Sequence, residues 1–178
     1  MKKLVLFIFM FLLLLSLVGC SIEPSSPDDT LVIGQVTIEA IGHPIYGTST
    51  SVNGTHKNNI TITFQNIITS KEYQVTTNNY GFFYKRDLKE GSYNMKKFYF
   101  KNYDGNRWAA TWRNFRDLII KVEPGKVMNV GYLLWYSNKE ESSYRITQTG
   151  SPAELYDLFK TNFPTSKWLE REWVNITF

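Results

Sequence analysis

The sequence predicts a mainly β protein, a single seven-stranded β-sandwich with a C-terminal helical extension. Three observations carry that expectation. Period-two stretches recur at short intervals, most plainly in NITITFQNII, where Ile60, Ile62 and Phe64 alternate with Thr61, Thr63 and Gln65. Turn chemistry separates the stretches at Asn78-Asn79-Tyr80-Gly81, Lys89-Glu90-Gly91 and Glu123-Pro124-Gly125-Lys126. The period then changes near the C-terminus. There Ser151-Pro152-Ala153-Glu154 reads as a capping box, and Leu155, Leu158, Phe159 and Phe163 mark one helical face that Pro164 stops.

Taken in order, the chain opens with Lys2-Lys3, an unbroken apolar run from Leu4 to Leu15, and Leu17-Val18-Gly19-Cys20. The run is shorter than the ~20 residues that span a bilayer, so residues 1–19 read as a secretory leader. Cys20 is the chain's single cysteine, which rules out an intramolecular disulfide and leaves the domain to its hydrophobic core. Of the 178 residues, 159 remain after the leader, enough for one domain. The formal charge of +4 includes Lys2 and Lys3, so the remainder carries +2, 18 basic residues against 16 acidic. With no basic run, that excess argues against a nucleic-acid partner.

Residues 20–30 (CSIEPSSPDDT) are polar with two prolines and read as a flexible tether. Residues 31–41 (LVIGQVTIEAI) form the first strand, with Val36, Ile38 and Ala40 alternating against Thr37 and Glu39. Residues 42–59 read as a polar loop holding His43 and His56. Thirteen residues apart and without a nearby cysteine, these histidines are poor metal ligands and read as exposed loop residues. The central stretch, residues 75–95, reads as strand, tight turn, aromatic strand (Phe82, Phe83, Tyr84), second turn, and a new strand from Tyr93. In that new strand, YNMKKFYF, the alternation is imperfect and the buried face is open. After a turn at residues 103–106 comes RWAATWRNFR, whose Trp108, Trp112 and Phe115 fall at i, i+4 and i+7 with Arg107, Arg113 and Arg116 between them. A short helix fits that spacing, and so does an irregular loop folded onto the sandwich. Residues 118–122 and 127–136 are strands and 137–143 a polar break. Trp168, Leu169 and Trp173 share a helical face, while Val174, Ile176 and Phe178 alternate like a strand. The reading is a helix over residues 167–173 and then an extended tail. The sandwich thus spans residues 31–136, and 137–178 form a linker and helical extension.

Two resemblances add to this reading. Leu17-Val18-Gly19-Cys20, directly behind its apolar run, resembles the lipobox of bacterial lipoproteins. That implies cleavage before Cys20, a diacylglycerol on its thiol, palmitate-class acyl chains and a place in the cell envelope. Ser21 in place of the aspartate that retains some lipoproteins at the inner membrane favours the outer membrane or cell surface. Thr77-Asn78-Asn79-Tyr80-Gly81-Phe82-Phe83 followed by Leu88-Lys89-Glu90-Gly91-Ser92-Tyr93 resembles the signature of the carboxypeptidase regulatory-like superfamily. These are transthyretin-like (prealbumin-like) β-sandwiches, similar also to Cna-B domains. Gly34-Gln35-Val36 resembles the family's opening strand. Asn78 replaces the usual aspartate, Lys85 stands where an apolar residue is expected, and residues 103–116 resemble an insertion. Some Cna-B members carry a Lys–Asn isopeptide bond from a first-strand lysine; residues 31–41 hold no lysine, so no such crosslink is expected.

The chemistry expected of an enzyme is missing from the pattern. There is no Gly-x-Ser-x-Gly elbow, no P-loop and no HExxH. Glu140-Glu141 and Asp28-Asp29 lie in polar segments where no catalytic pKa is expected, and Asp104 and Asp117 are isolated. The expectation is a non-enzymatic protein without cofactor or metal, anchored through Cys20, acting as a structural or protein-interaction module. The alternative is a carbohydrate- or peptide-binding surface lipoprotein. Its candidate ligand-binding residues are Tyr103, Arg107, Trp108, Trp112, Arg113 and Phe115, and its partner an envelope protein or a glycan. Against that platform stands the plainer use of such aromatics, roofing an open face of the sandwich.

Overall fold

The computed structural model describes residues 22–44, 51–104, 107–114, 118–138 and 143–178, with backbone alone at 43–44, 51–53, 101–104 and 107–114. Among the described residues the chain is mainly β and sandwich-like, with two facing sheets and one α-helix. Among the described residues there are eleven strands rather than seven.

Each sheet is built on long strands whose edges are shared by short ones in tandem. In the first sheet, β1 (Leu31–Pro44) runs parallel to β9 (Val127–Asn138) from Leu31↔Val127 to Ile41↔Asn138. The other edge of β1 takes β5 (Phe82–Arg86) along its first half and β2 (Ser51–His56) along its second. The far edge of β9 takes β11 (Trp173–Asn175) and then β10 (Ser143–Thr149). In the second sheet, β6 (Gly91–Asp104) pairs on one side with β3 (Ile60–Asn66), itself edged by β4 (Glu72–Thr76). On its other side stand β8 (Ile119–Val122) and then β7 (Arg107–Asn114).

The core lies between the sheets, where Val32, Val36, Ile38, Met128 and Trp135 meet Ile62, Phe64, Met95, Phe98 and Ile120. A second cluster covers the outer face of the first sheet at one end only. Leu31, Ile33, Phe82 and Val127 lie there beneath Leu155 and Phe159 of α1 (Pro152–Asn162) and beneath Trp168. Both faces of β1 are therefore buried at its start, which is why Leu-Val-Ile runs unbroken before the alternation begins. Ser151 is the N-cap of α1, its hydroxyl accepting from the Ala153 N–H at 3.2 Å rather than from the Glu154 N–H of a capping box.

The central stretch does not form a hairpin. β4 belongs to one sheet and β5 to the other, so residues 77–81 carry the chain across the sandwich, and residues 87–90 carry it back. Asn78 holds the first crossing together. Its Oδ1 accepts from the N–H groups of Tyr80 and Phe82 at 2.9 and 3.0 Å. Gly81 sits at φ +81° with its carbonyl accepting from Val36 N–H, and a Cβ there would lie 2.3 Å from the Val36 carbonyl oxygen. Hairpin and crossing share one turn chemistry, so the local pattern cannot distinguish them. Gly34 makes room of another kind, because a Cβ would meet the Phe83 ring at 2.6 Å.

The imperfect alternation in β6 has a simple cause. Thr63 pairs Lys97 while Phe64 pairs Met95, so one extra residue bulges at Lys96 and flips the parity. Tyr93, Met95, Phe98 and Phe100 thus all reach the core. A second bulge in β9, between Asn129 and Tyr132, acts likewise and brings Val130 and Leu133 to one face. Buried Asn129 secures it. Its Oδ1 accepts from Gly131 N–H, and its Nδ2 donates to the Pro152 carbonyl and to Asn175 Oδ1, at 3.0, 2.8 and 3.1 Å.

Other expectations change with the sheet partners. The loop expected over 42–59 instead holds the end of β1 and all of β2, so both histidines lie on strands. Residues 107–114 are a strand, neither helix nor loop, because they pair with β6. Of the polar break expected over 137–143, residues 137 and 138 close β9 and Ser143 opens β10, an edge strand without a fully buried residue and hence without an apolar signal. The helix expected over 167–173 is a single 3₁₀ turn, Lys167–Glu170, and Trp173 already belongs to β11. Strand pairing of the sandwich therefore continues past residue 136.

Gly81→Ala is expected to cost about 3 kcal/mol, through a strained left-handed backbone and a clash with Val36. A urea midpoint unchanged from wild type would refute that account of the crossing.

Candidate functional site: the docked N-terminal segment and the aromatic hairpin

Residues 22–30, expected to be a free tether, lie against the C-terminal 3₁₀ turn. The Trp168 indole N–H donates to the Ile22 carbonyl, and Ile22 packs against the second hydrophobic cluster. Lys167 N–H donates to Glu23 Oε2 at 2.8 Å. Arg171 reaches the Pro27 carbonyl at 2.8 Å and that of Ser26 at 3.3 Å. Thr30 is buried, and its hydroxyl donates to the Leu88 carbonyl at 2.7 Å. The composition is that of a linker, but the partners come from some 145 residues downstream, where no local pattern reports them. Cys20 lies just before this segment and outside the described residues.

Asp29 closes the segment into a turn. It accepts from the Ser25 hydroxyl at 2.7 Å, from the Ser25 N–H, and from the N–H and hydroxyl of Ser26 at 2.9 Å each. These bonds, the Ser25 hydroxyl foremost, hold its carboxyl well below the usual carboxylate range against the upward push of desolvation. Arg86 adds an ion pair at 3.9 Å. Elsewhere Lys126 bridges Glu123 and Glu172 at 2.9 and 3.0 Å. The bonds of that cluster lower the Glu123 pKa and raise that of Lys126. Burial, with the Glu154 charge nearby, raises the Tyr132 pKa. Each shift follows from a structural contact.

The other predicted residues fall on the β6–β7 hairpin. Tyr103 stands opposite Trp108, Tyr99 opposite Trp112, Phe98 opposite Arg113, and Asp104 opposite Arg107. Cross-strand partners share a sheet face. Positions 99, 103, 108 and 112 therefore occupy one face, and positions 107 and 113 the face of Phe98, which points into the core. The i, i+4 spacing that resembles a helical stripe is equally an every-fourth-residue ladder on one strand face. Phe115 lies outside the described residues. Of the histidines, His43 pairs in register with Val52 and His56 with Ile38, and the His56 ring lies 4.5 Å from that of Phe100. Among the described residues no group of three or more His, Cys, Asp or Glu side chains is placed to hold a metal.

A feature not anticipated from sequence is a groove of about 330 Å³ between α1 and the outer face of β5, lined by Tyr80, Phe82, Tyr84, Leu158 and Phe163. Its signal was present in the exposed aromatics of the central stretch, but α1 supplies the opposite wall. Among the described residues no helix is long and apolar enough to cross a membrane. The chain matches no protein-family model, no curated protein and no solved structure.

The depressed Asp29 pKa makes a signed prediction. A carboxylate whose pKa is lowered by folding stabilises the native state above its unfolded value, near 4, and that contribution is lost as pH falls below it. Asp29→Asn should be less stable than wild type at pH 7 and lose less stability on acidification from about pH 4. Parallel pH–stability curves for the two proteins would show that ionisation of Asp29 contributes nothing to folding.

Proposed function

We infer that this is a lipid-anchored protein of the bacterial cell envelope, non-enzymatic, whose transthyretin-like sandwich serves as a structural or protein-interaction module. The observation that carries the reading is Leu17-Val18-Gly19-Cys20 directly behind the apolar run from Leu4 to Leu15. The Thr77 to Tyr93 signature and the two facing sheets support the fold assignment. One acyl chain holds a protein only marginally at a bilayer, whereas the two or three implied by a lipobox anchor it stably. In a bacterial host, wild type is expected to carry lipid-sized added mass and to partition into detergent, and Cys20→Ala to lose both. A soluble wild type without added mass would sink the reading.

A second reading is favoured by the hairpin register, which sets positions 99, 103, 108 and 112 as two aromatic pairs on one sheet face. Such a ladder is a platform for a glycan or an extended peptide, with base-level affinity from ring stacking. Trp135 and Trp168 are fully buried and provide the protected background. If the platform is exposed, the Trp108→Ala/Trp112→Ala double variant should lose most acrylamide-quenchable fluorescence and any co-sedimentation with cell-wall glycan, at unchanged Tm. Unchanged quenching would assign both rings to the packed interior and remove the platform.

A further inference from the structure

Two separate features coincide at one pole of the sandwich. The first is the docked segment. Ile22 is pinned by Trp168 and Glu23 by Lys167, so a single residue, Ser21, separates Cys20 from the folded domain, a reach of at most about 7 Å from Cα to Cα. A lipid on Cys20 would hold this pole against the bilayer with little slack.

The second is the turn after β3. Asn66 Oδ1 accepts from Ile68 N–H at 3.1 Å and from the N–H and hydroxyl of Thr69 at 2.8 and 3.0 Å. The Asn66 carbonyl accepts from Ser70 N–H, and Ile67 N–H donates to the Ser92 carbonyl. This pinned turn projects Ile67, 49% exposed, and Ile68, 86% exposed, into solvent. Scattered exposed apolar residues are ordinary, but two adjacent isoleucines on a braced tip form a compact apolar point.

Register places both features at the same end. Asn66 pairs with Tyr93 and Gly91 with Val122, and a short turn leads from Val122 to Val127, which lies beside Leu31. Thr30 bonds to Leu88 on the loop entering β6. The exposed charges of neighbouring turns are mixed, Lys71 and Lys89 against Glu72 and Glu90, so apolar insertion rather than attraction to anionic lipid suits this surface.

We propose that this pole is the bilayer-facing surface of the domain: residues 22–30 form a strut that fixes its orientation, and Ile67–Ile68 enters the interfacial layer beside the acyl chains. The proposal rests on the lipid-anchor reading and adds the orientation and the second contact. The β6–β7 hairpin, at the far end of β6, then points away from the membrane.

The test uses the full lipidated protein in vesicles of phosphatidylethanolamine and phosphatidylglycerol. An environment-sensitive fluorophore is attached at Ile68→Cys or, at the opposite pole beside Ser137, at Tyr144→Cys, a 48% exposed position. The thioether at Cys20 leaves the introduced thiol as the only labelling site. Brominated acyl chains are expected to quench the label at 68 several-fold more than the label at 144. Glu23→Ala/Arg171→Ala, which releases the strut, should narrow that difference while lipid mass is retained. Equal quenching at both positions in a protein that carries the lipid mass would overturn the orientation and leave the anchor standing. Absence of lipid mass would overturn both.

Discussion

Burial of the first half of β1 on both faces is the constraint on which the other elements depend. Val32 and Val36 need the second sheet, while Leu31 and Ile33 need a cover on the opposite side. A sheet edge or a loop cannot bury two such side chains from water, whereas an amphipathic helix can. Leu155 and Phe159 supply that cover, and Trp168 completes it. The C-terminal segment is thus part of the folding unit. Deleting a fully buried aromatic such as Trp168 would cost on the order of 3–5 kcal/mol, and the loss would reach residues 22–30 through the Ile22 carbonyl. Residues 22–30 and the 3₁₀ turn at Lys167–Glu170 are held at one pole by the same cluster.

The polar residues at that pole make the apolar arrangement specific. Asn129 is buried at the bulge of β9 and satisfied by three partners drawn from its own strand, the start of α1 and β11. Gln148 of β10 donates to the Val130 and Ile176 carbonyls at 2.7 and 2.6 Å. A bulge leaves backbone groups unpaired, and in a buried sheet they require side-chain partners. These two amides provide them and fix how the tail crosses β9. Hydrophobic contact alone would tolerate several positions of the helix, but the amide network accepts only one.

The placement of both candidate surfaces follows from strand direction. β1 and β6 leave the lower pole together, which places the docked segment and the Ile67–Ile68 turn at one end and the β6–β7 hairpin at the other. Under the proposed lipid anchor, attachment lies at one pole and the β6–β7 hairpin at the other. The crossing at residues 77–81 makes this possible, because it moves the chain from one sheet to the other and brings Phe82 under α1 and Phe83 into the core.

The amino-acid sequence by itself determined features whose physics is local. Alternation marked β3, turn residues marked where the chain bends at 78–81 and 89–91, and the capping pattern marked α1 to within a residue. Tertiary structure alone decided what depends on distant partners. Strand pairing turned the Trp/Arg segment into β7, since an i, i+4 stripe serves a helix and a sheet face equally until a neighbouring strand is present. The bulges at Lys96 and before Tyr132 decided which residues of β6 and β9 are inside, because one extra residue reverses every later side chain. The sequence reads residues 22–30 as free chain, and only the fold brings Trp168, Lys167 and Arg171 to their carbonyls and carboxylate. A polar segment takes its order from whatever donors the rest of the chain places beside it.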